Sequence, residues 1–495
     1  MVNFEVFEDS GHKTKVVCTI GPATASEAQL RLLIETGMDV ARLNFAHGSH
    51  REHGAVIERI RRISLALGRP TAILQDLAGP KVRIGAFANG PIELEPGRRF
   101  TLTSREVDGD EREVSVSYPL AQEVNPGDTL LLADGSIQLE VSTVTGQDVH
   151  CEVVYGGRLS SHKGVNCPSG LFGIPILRDK DKQDLRFGVD QGVDYMALSF
   201  VRTAADVRAA KQELEAHAGR IPVIAKIETQ AALQHIDEIL AEADGLMIAR
   251  GDLSIETPFT AVPILQKQLV ALSNRSAKPV ITATQMLFSM VSSPSPTRAE
   301  VADVANAILD GSDAVMLSEE TAVGEYPIQA VRTMIAIAQD TERAGIRLVH
   351  RDVNEAVDEE DVPTEKEALA RAACRLARSL RVDVIGIATL TGESARFAGK
   401  YRPSQPILAA TPVLEVYRRL ALVHGVTPLL LPGEAQTTQA MISAGAALAL
   451  QRGWRGKKGV FLAGNSLWLG VLGNSFASGE VIIAIDRNGR VTAGA

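Results

Sequence analysis

YMALSF (195–200), PVIAKIE (222–228), GLMIARG (245–251), PVITATQ (279–285) and AVMLSEE (314–320) follow one another through the middle of the chain at the spacing of one strand plus one helix. Each is a short, nearly continuous apolar run ending in polar or charged residues. Strands of a parallel sheet, buried on both faces, read this way. Working outward toward the start, three more runs of the same kind appear: KVVCTIG (15–21), MDVARLN (38–44) and TAILQD (71–76). The segments between them have helical periodicity. EAQLRLLIETG follows Thr24, where T-A-S-E resembles a capping box, and SHREHGAVIERIRRISLALG keeps its apolar residues on one face. Eight strands alternating with helices predict an α/β fold of the (β/α)8 TIM-barrel type. An open doubly wound sheet would have fewer strands per domain and a glycine-rich turn near the start, which is missing.

The rhythm breaks once. After Arg83 the chain changes to short strands separated by LEPGRRF, VDGDE, VNPGDT, LADGS, VTGQD and VYGGR, the turns of an all-β insert. The insert leaves after strand three and returns before strand four. It therefore rises from the C-terminal rim, where barrel enzymes hold substrates, and is a candidate lid. Toward the other end, the acidic stretch RDVNEAVDEEDVPTE (351–365) reads as a linker. VIGIATL, QPILAAT, TPLLLP, GVFLAG and EVIIAI then alternate with helices. The expected division is a barrel at 14–83 and 172–346, a lid at 84–171, a linker at 347–365 and a C-terminal α/β domain at 366–495.

Composition excludes several classes. With 45% hydrophobic and 22% charged residues over 495 positions, the chain is an ordinary globular protein of more than one domain. A net charge of -9 argues against a general nucleic-acid binder. Cys18, Cys151, Cys167 and Cys374 form no CxxC pair, so a reducing, cytoplasmic location is expected. No apolar leader opens the sequence and no run is long enough to span a membrane.

The strand ends carry the chemistry. Strand two ends in Arg42 and Asn44, followed by His47. Strand three ends in Asp76, with Lys81 and Arg83 beyond. Strand five ends in Lys226 and Glu228, two apart and so on one face; strand six in Arg250, Gly251 and Asp252; strand seven in Thr284 and Gln285; strand eight in Ser318 and Glu320. Glu228 and Asp252 suit a hard divalent ion that keeps several waters, which describes magnesium. Lys226 is a point charge for a phosphoryl oxygen or an enolate, and Arg42 and Arg83 offer forked donors to phosphate. Gly251 permits close backbone approach to a carboxylate. Singly, each has a plainer reading: Lys-x-Glu as a rim ion pair, Arg-Gly-Asp as a chance tripeptide, His47 and Thr284 as capping or packing residues. Their convergence on one rim favours a magnesium-dependent enzyme acting on a phosphorylated or carboxylated small molecule. That reading leaves a kinase, an aldolase and a lyase equally open.

At these residues the chain resembles the pyruvate kinases. The resemblance rests on TKVVCTIGPAT, GMDVARLNFAHGSH, GPKVRIG, HKGVN, KDKQDLRFGVDQGVD, AKIET, MIARGDL, ITATQML, PSPTRAEVADVANAILDGSDAVMLSEETAVGEYP and YRPSQPILAAT. It implies transfer of the phosphoryl group of phosphoenolpyruvate to ADP, giving pyruvate and ATP. Magnesium would be required, with manganese as an alternative ion. By resemblance, Lys226 stabilises the transferring group, Glu228 and Asp252 hold the metal, Arg42 binds phosphate, and the Gly251–Asp252 backbone binds the carboxylate. Thr284 lies where the enolate is protonated. Asn44, His47, Arg83 and Lys163 contact the nucleotide. A homotetramer and a phosphorylated effector at Thr389, Thr391 and Ser394 are also implied, although Leu390 and Glu393 stand where some members place basic residues.

The departures are Ala46, Leu77, Ala78, Lys81, Ser254 and Glu319, together with Ala225 in AKIE. Ala46 and Leu77 remove both hydroxyl ligands of the family's monovalent-cation site, leaving Asn44 and Asp76. Lys81 adds a fixed cation at the same rim, so potassium is not expected to be required. Two rivals remain: a non-catalytic metabolite sensor, for which Lys226 and Thr284 are unnecessary, and a carbon–carbon lyase, which needs no nucleotide residues.

Overall fold

A computed structural model describes residues 11–168, 170, 173–345, 364–435, 437–451, 453–454, 457–464, 466–471, 481–485 and 491–492. The expected linker falls almost wholly outside them. Eight parallel strands form a closed barrel in sequential order: β1 (Lys15–Ile20), β2 (Val40–Asn44), β3 (Ala72–Asp76), β4 (Tyr195–Leu198), β5 (Val223–Ile227), β6 (Gly245–Ala249), β7 (Val280–Ala283) and β8 (Ala314–Leu317). Nearly every residue of these strands is buried, because one face fills the barrel interior and the other lies under helices.

The helix His50–Leu67 illustrates how sequence sets an element. Ser49 and Glu52 close a capping box at its start, and Val56, Ile57, Ile60, Ile63 and Leu67 form its buried stripe. Gly68 stops it in the left-handed conformation at φ 60°. The preceding helix, Glu27–Thr36, departs from expectation: its cap is Ser26, which accepts from the Gln29 amide. Thr24 is instead drawn inward and donates to the Thr321 carbonyl at 2.8 Å.

Residues after β3 form a seven-stranded mixed sheet. Its outgoing strand, Val82–Arg83, pairs antiparallel with its returning strand, Gly164–Asn166. Gly97 and Gly146 take φ of 78° and 59° at two of the expected turns, a conformation that favours glycine. Among the described residues the C-terminal sheet also has seven strands. Val426–Leu430, Ile407–Thr411, Val384–Ala388 and Lys458–Ala463 run parallel, and Ser466–Val471, Val481–Ile485 and Val491–Thr492 extend it antiparallel. The strand at SLWLGV was not anticipated, since its hairpin from the preceding strand leaves no helix to mark it.

Two compact units are distinguished. One lies within Met1–Gln75, Gln191–Tyr195 and Lys267–Ala495, the other within Asp76–Asp190 and Met196–Gln266. Among the described residues no helix is long and apolar enough to cross a membrane. The four cysteines are buried and unbridged.

Candidate active site

In the second unit, the ends of β3, β4, β5 and β6 assemble a charged cluster around one ammonium. Lys226, in β5, lies 3.2 Å from Asp76 Oδ1 and 3.0 Å from Glu228 Oε1, and donates to Ser199 Oγ at 2.7 Å. Ser199 in turn donates to the Leu77 carbonyl at 2.7 Å, which fixes its hydroxyl as the acceptor for Lys226. Phe200 takes a left-handed φ of 57°, and its amide donates to Glu228 Oε2 at 2.7 Å. Both carboxylates are almost fully buried. Burial pushes the Glu228 carboxyl up, Lys226 opposes that shift, and the negative charge of Asp252 adds to it.

Lys81 sits elsewhere than expected. Its ammonium lies 3.4 Å from Asp252 Oδ1 and 5.9 Å from the centre of the Phe200 ring, whereas the charge of Asp76 is met by Lys226. Arg83 donates to the His162 carbonyl at 3.0 Å, and Lys163 is the next residue, just before the returning strand. The segment Arg250–Glu256 is a short helix with Asp252 in its first turn. Ser254 donates to the Gly251 carbonyl at 2.7 Å, so this departure from the family pattern is satisfied locally.

The sequence reading overlooked Ser199 and Glu256. Ser199 follows β4, whose end had no charge to draw notice. Glu256 ends the Arg250–Glu256 helix, accepts from Asn166 Nδ2 and from the Gln230 amide, both at 3.1 Å, and burial pushes its carboxyl up to about 7.

In the first unit, Arg42 donates to Thr19 Oγ1 at 2.9 Å. Asn44 Oδ1 accepts from the Ala46 amide, which leaves Ala46 and His47 exposed on the turn after β2. Thr284 and Gln285 take φ of 68° and 54°, and the Thr284 hydroxyl donates to the Ala283 carbonyl at 2.6 Å. The loop continues to Leu287, whose amide donates to Glu320 at 3.0 Å; Glu320 also accepts from the Ser318 amide at 2.7 Å. Glu319 is exposed. In the C-terminal sheet's first loop, Thr389 Oγ1 accepts from the Gly392 amide and Thr391 Oγ1 from the Glu393 amide, while Ser394 lies in the first turn of the helix Glu393–Lys400.

Residues 11–331 match the family model for the pyruvate kinase barrel domain, and residues 367–473 match that for the pyruvate kinase alpha/beta domain. The chain belongs to the pyruvate kinase family. It is 49% identical to pyruvate kinase 2 of Synechocystis over 440 residues, covering 87% of this chain and 73% of that protein. It is 41% identical to the pyruvate kinase of Clostridium acetobutylicum, covering 89% and 93%. The crystal structure of a pyruvate kinase from Cryptosporidium parvum superposes with a TM-score of 0.86 at 35% identity, covering 94% of this chain and 97% of that one. Members of this family are kinases, so the chain is a phosphotransferase, and the lyase and sensor readings fall away.

Proposed function

We propose that the chain transfers the phosphoryl group of phosphoenolpyruvate to ADP, with Lys226 as the charge that stabilises the transferring group. The observation that carries this is the fixing of its ammonium by Asp76, Glu228 and Ser199 together. A cation held in place before reaction requires no reorganisation as negative charge shifts toward the bridging oxygen. Glu228 and Asp252 fit a divalent ion: both are hard oxygen donors, and the Glu228 carboxyl is pushed up first by burial and further by the charge of Asp252, which a cation would relieve. When bound, magnesium supplies charge neutralisation and a template for phosphate oxygens. Arg42 would grip the substrate phosphate, and the Gly251–Asp252 backbone its carboxylate. Thr284, on a loop held by Glu320, would direct a proton to the enolate carbon. Positioning and charge carry most of the catalysis in such transfers.

The lid is assigned to 84–171, between the barrel segments 14–83 and 172–346. Asn44, His47, Arg83 and Lys163 are assigned to the nucleotide. Potassium independence, a homotetramer, a cytoplasmic location and an effector loop at Thr389, Thr391 and Ser394 complete the proposal. The Thr389 and Thr391 hydroxyls accept from the Gly392 and Glu393 amides, an arrangement in which their O–H groups would donate to a phosphate.

A coupled assay of pyruvate formation with ADP and magnesium tests the main reading; no ADP-dependent pyruvate would sink it. Lys163→Ala is expected to raise KM for ADP by roughly tenfold, the scale of one charge-assisted hydrogen bond, with magnesium-dependent phosphoenolpyruvate binding unchanged. Steady-state kinetics and direct binding check this. Equal loss of both would make the lid a structural element only.

A further inference from the structure

Glu256 takes no part in the chemistry assigned above, yet it is a partly buried acid holding two donors. Asn166, itself buried, ends the strand by which the insert returns and donates its amide to Glu256 Oε1 at 3.1 Å. The Gln230 backbone amide, two residues beyond Glu228, donates to Oε2 at 3.1 Å. One carboxylate thus ties the returning strand to the segment that carries a proposed metal ligand. The same short helix meets the insert again one residue earlier. Gly135, at φ 83°, faces Ile255, and a Cβ there would sit in ordinary van der Waals contact, 3.4 Å from the Ile255 methyl. A cavity of about 60 Å³ lies alongside, walled by Pro80, Lys81, Val165, Cys167, Phe200 and Glu256, so both connections of the insert border it.

We propose that Glu256 is a positioning residue that latches the root of the lid to the helix bearing Gly251 and Asp252. The returning strand pairs Gly164 with Arg83 and Val165 with Val82. Anchoring Asn166 therefore fixes the ribbon carrying Arg83 and Lys163, and with it the nucleotide contacts. A carboxylate offers both oxygens as acceptors to two N–H donors, which no neutral side chain of the same shape can do.

The inference rests on assigning Arg83 and Lys163 to the nucleotide. Its test exchanges the acid and the amide. Assayed at about pH 8, where the Glu256 carboxyl is mostly ionised, Asn166→Asp sets two carboxylates against each other and is expected to raise KM for ADP by roughly tenfold or more, leaving phosphoenolpyruvate binding within about twofold of the parent. Adding Glu256→Gln restores the pair in reverse, with the glutamine amide donating to the new carboxylate and its oxygen still accepting from Gln230. KM for ADP should then return to within about twofold of the parent value. If Asn166→Asp folds poorly, Asn166→Ala, which removes only the lid contact, should raise KM for ADP by roughly fivefold while still unfolding cooperatively, at a slightly lower Tm. An unchanged KM for ADP in the variant that folds, or a double variant no better than Asn166→Asp, overturns the latch. Failure of the underlying functional reading would show in the unsubstituted protein, as absent pyruvate formation, and so is distinguishable.

Discussion

Replacing Lys226 with methionine is expected to lower kcat by roughly a hundredfold or more while KM for phosphoenolpyruvate changes little at saturating magnesium. Methionine keeps much of the length of lysine and removes only the charge, so the barrel interior stays filled. The ammonium interacts with a ground state whose charge rests on the phosphate, and more strongly with a transition state whose charge moves toward the bridging oxygen. Its loss therefore falls on kcat. Without it Asp76 and Glu228 face each other uncompensated, and Glu228, whose carboxyl burial already pushes up, takes a proton more readily. Saturating magnesium offsets that charge, which is why the comparison belongs there. Steady-state kinetics decide the matter. If kcat held and only KM rose, Lys226 would be a ground-state contact.

The barrel was legible because parallel strands buried on both faces are mostly apolar, and all eight runs are short, largely apolar segments at regular spacing. The candidate site was legible because polar groups at the ends of such runs have few structural uses. Ser199 escaped notice because an uncharged residue after an apolar run carries no signal; its role appears only when Lys226 is seen to point at it. Glu256 escaped for another reason. Its partners, Asn166 and Gln230, lie far away in the chain, so nothing local marks the carboxylate as anything but a surface acid. Lys81 is expected to offset Asp76 because both stand at the strand-three end of the same rim, yet its ammonium meets Asp252 instead. The chain turns between them, and Lys226, from a different strand, reaches Asp76 first. Local sequence gave the elements and their polar ends; pairings between strands decided which charges meet.

Activity is expected to be equal, within about twofold, in sodium, potassium and tetramethylammonium buffers of matched ionic strength. Only two side-chain ligands are left for a monovalent ion, Asn44, whose Oδ1 accepts from the Ala46 amide, and Asp76, whose Oδ1 lies 3.2 Å from the Lys226 ammonium. Leu77 is buried and offers no hydroxyl, and hard cations need a fuller oxygen shell than remains. Lys81 meanwhile holds a fixed positive charge 3.4 Å from Asp252. Lys81→Glu replaces that attraction with repulsion. Like charges about 4 Å apart cost on the order of 4 kcal/mol at the effective dielectric of a protein surface. Both groups are about a quarter exposed, and solvent screening reduces the cost to roughly half. The repulsion displaces Asp252 from its place beside the metal and phosphates, so kcat/KM in potassium-free buffer is expected to fall by roughly tenfold or more. Adding Leu77→Thr and Ala46→Ser supplies the missing hydroxyls, and potassium should then restore activity where sodium does not. Strong activation of the unsubstituted protein by potassium alone would refute the substitution of lysine for the ion. A Lys81→Glu variant as active as the parent in potassium-free buffer would show that the Lys81 charge serves only the surface.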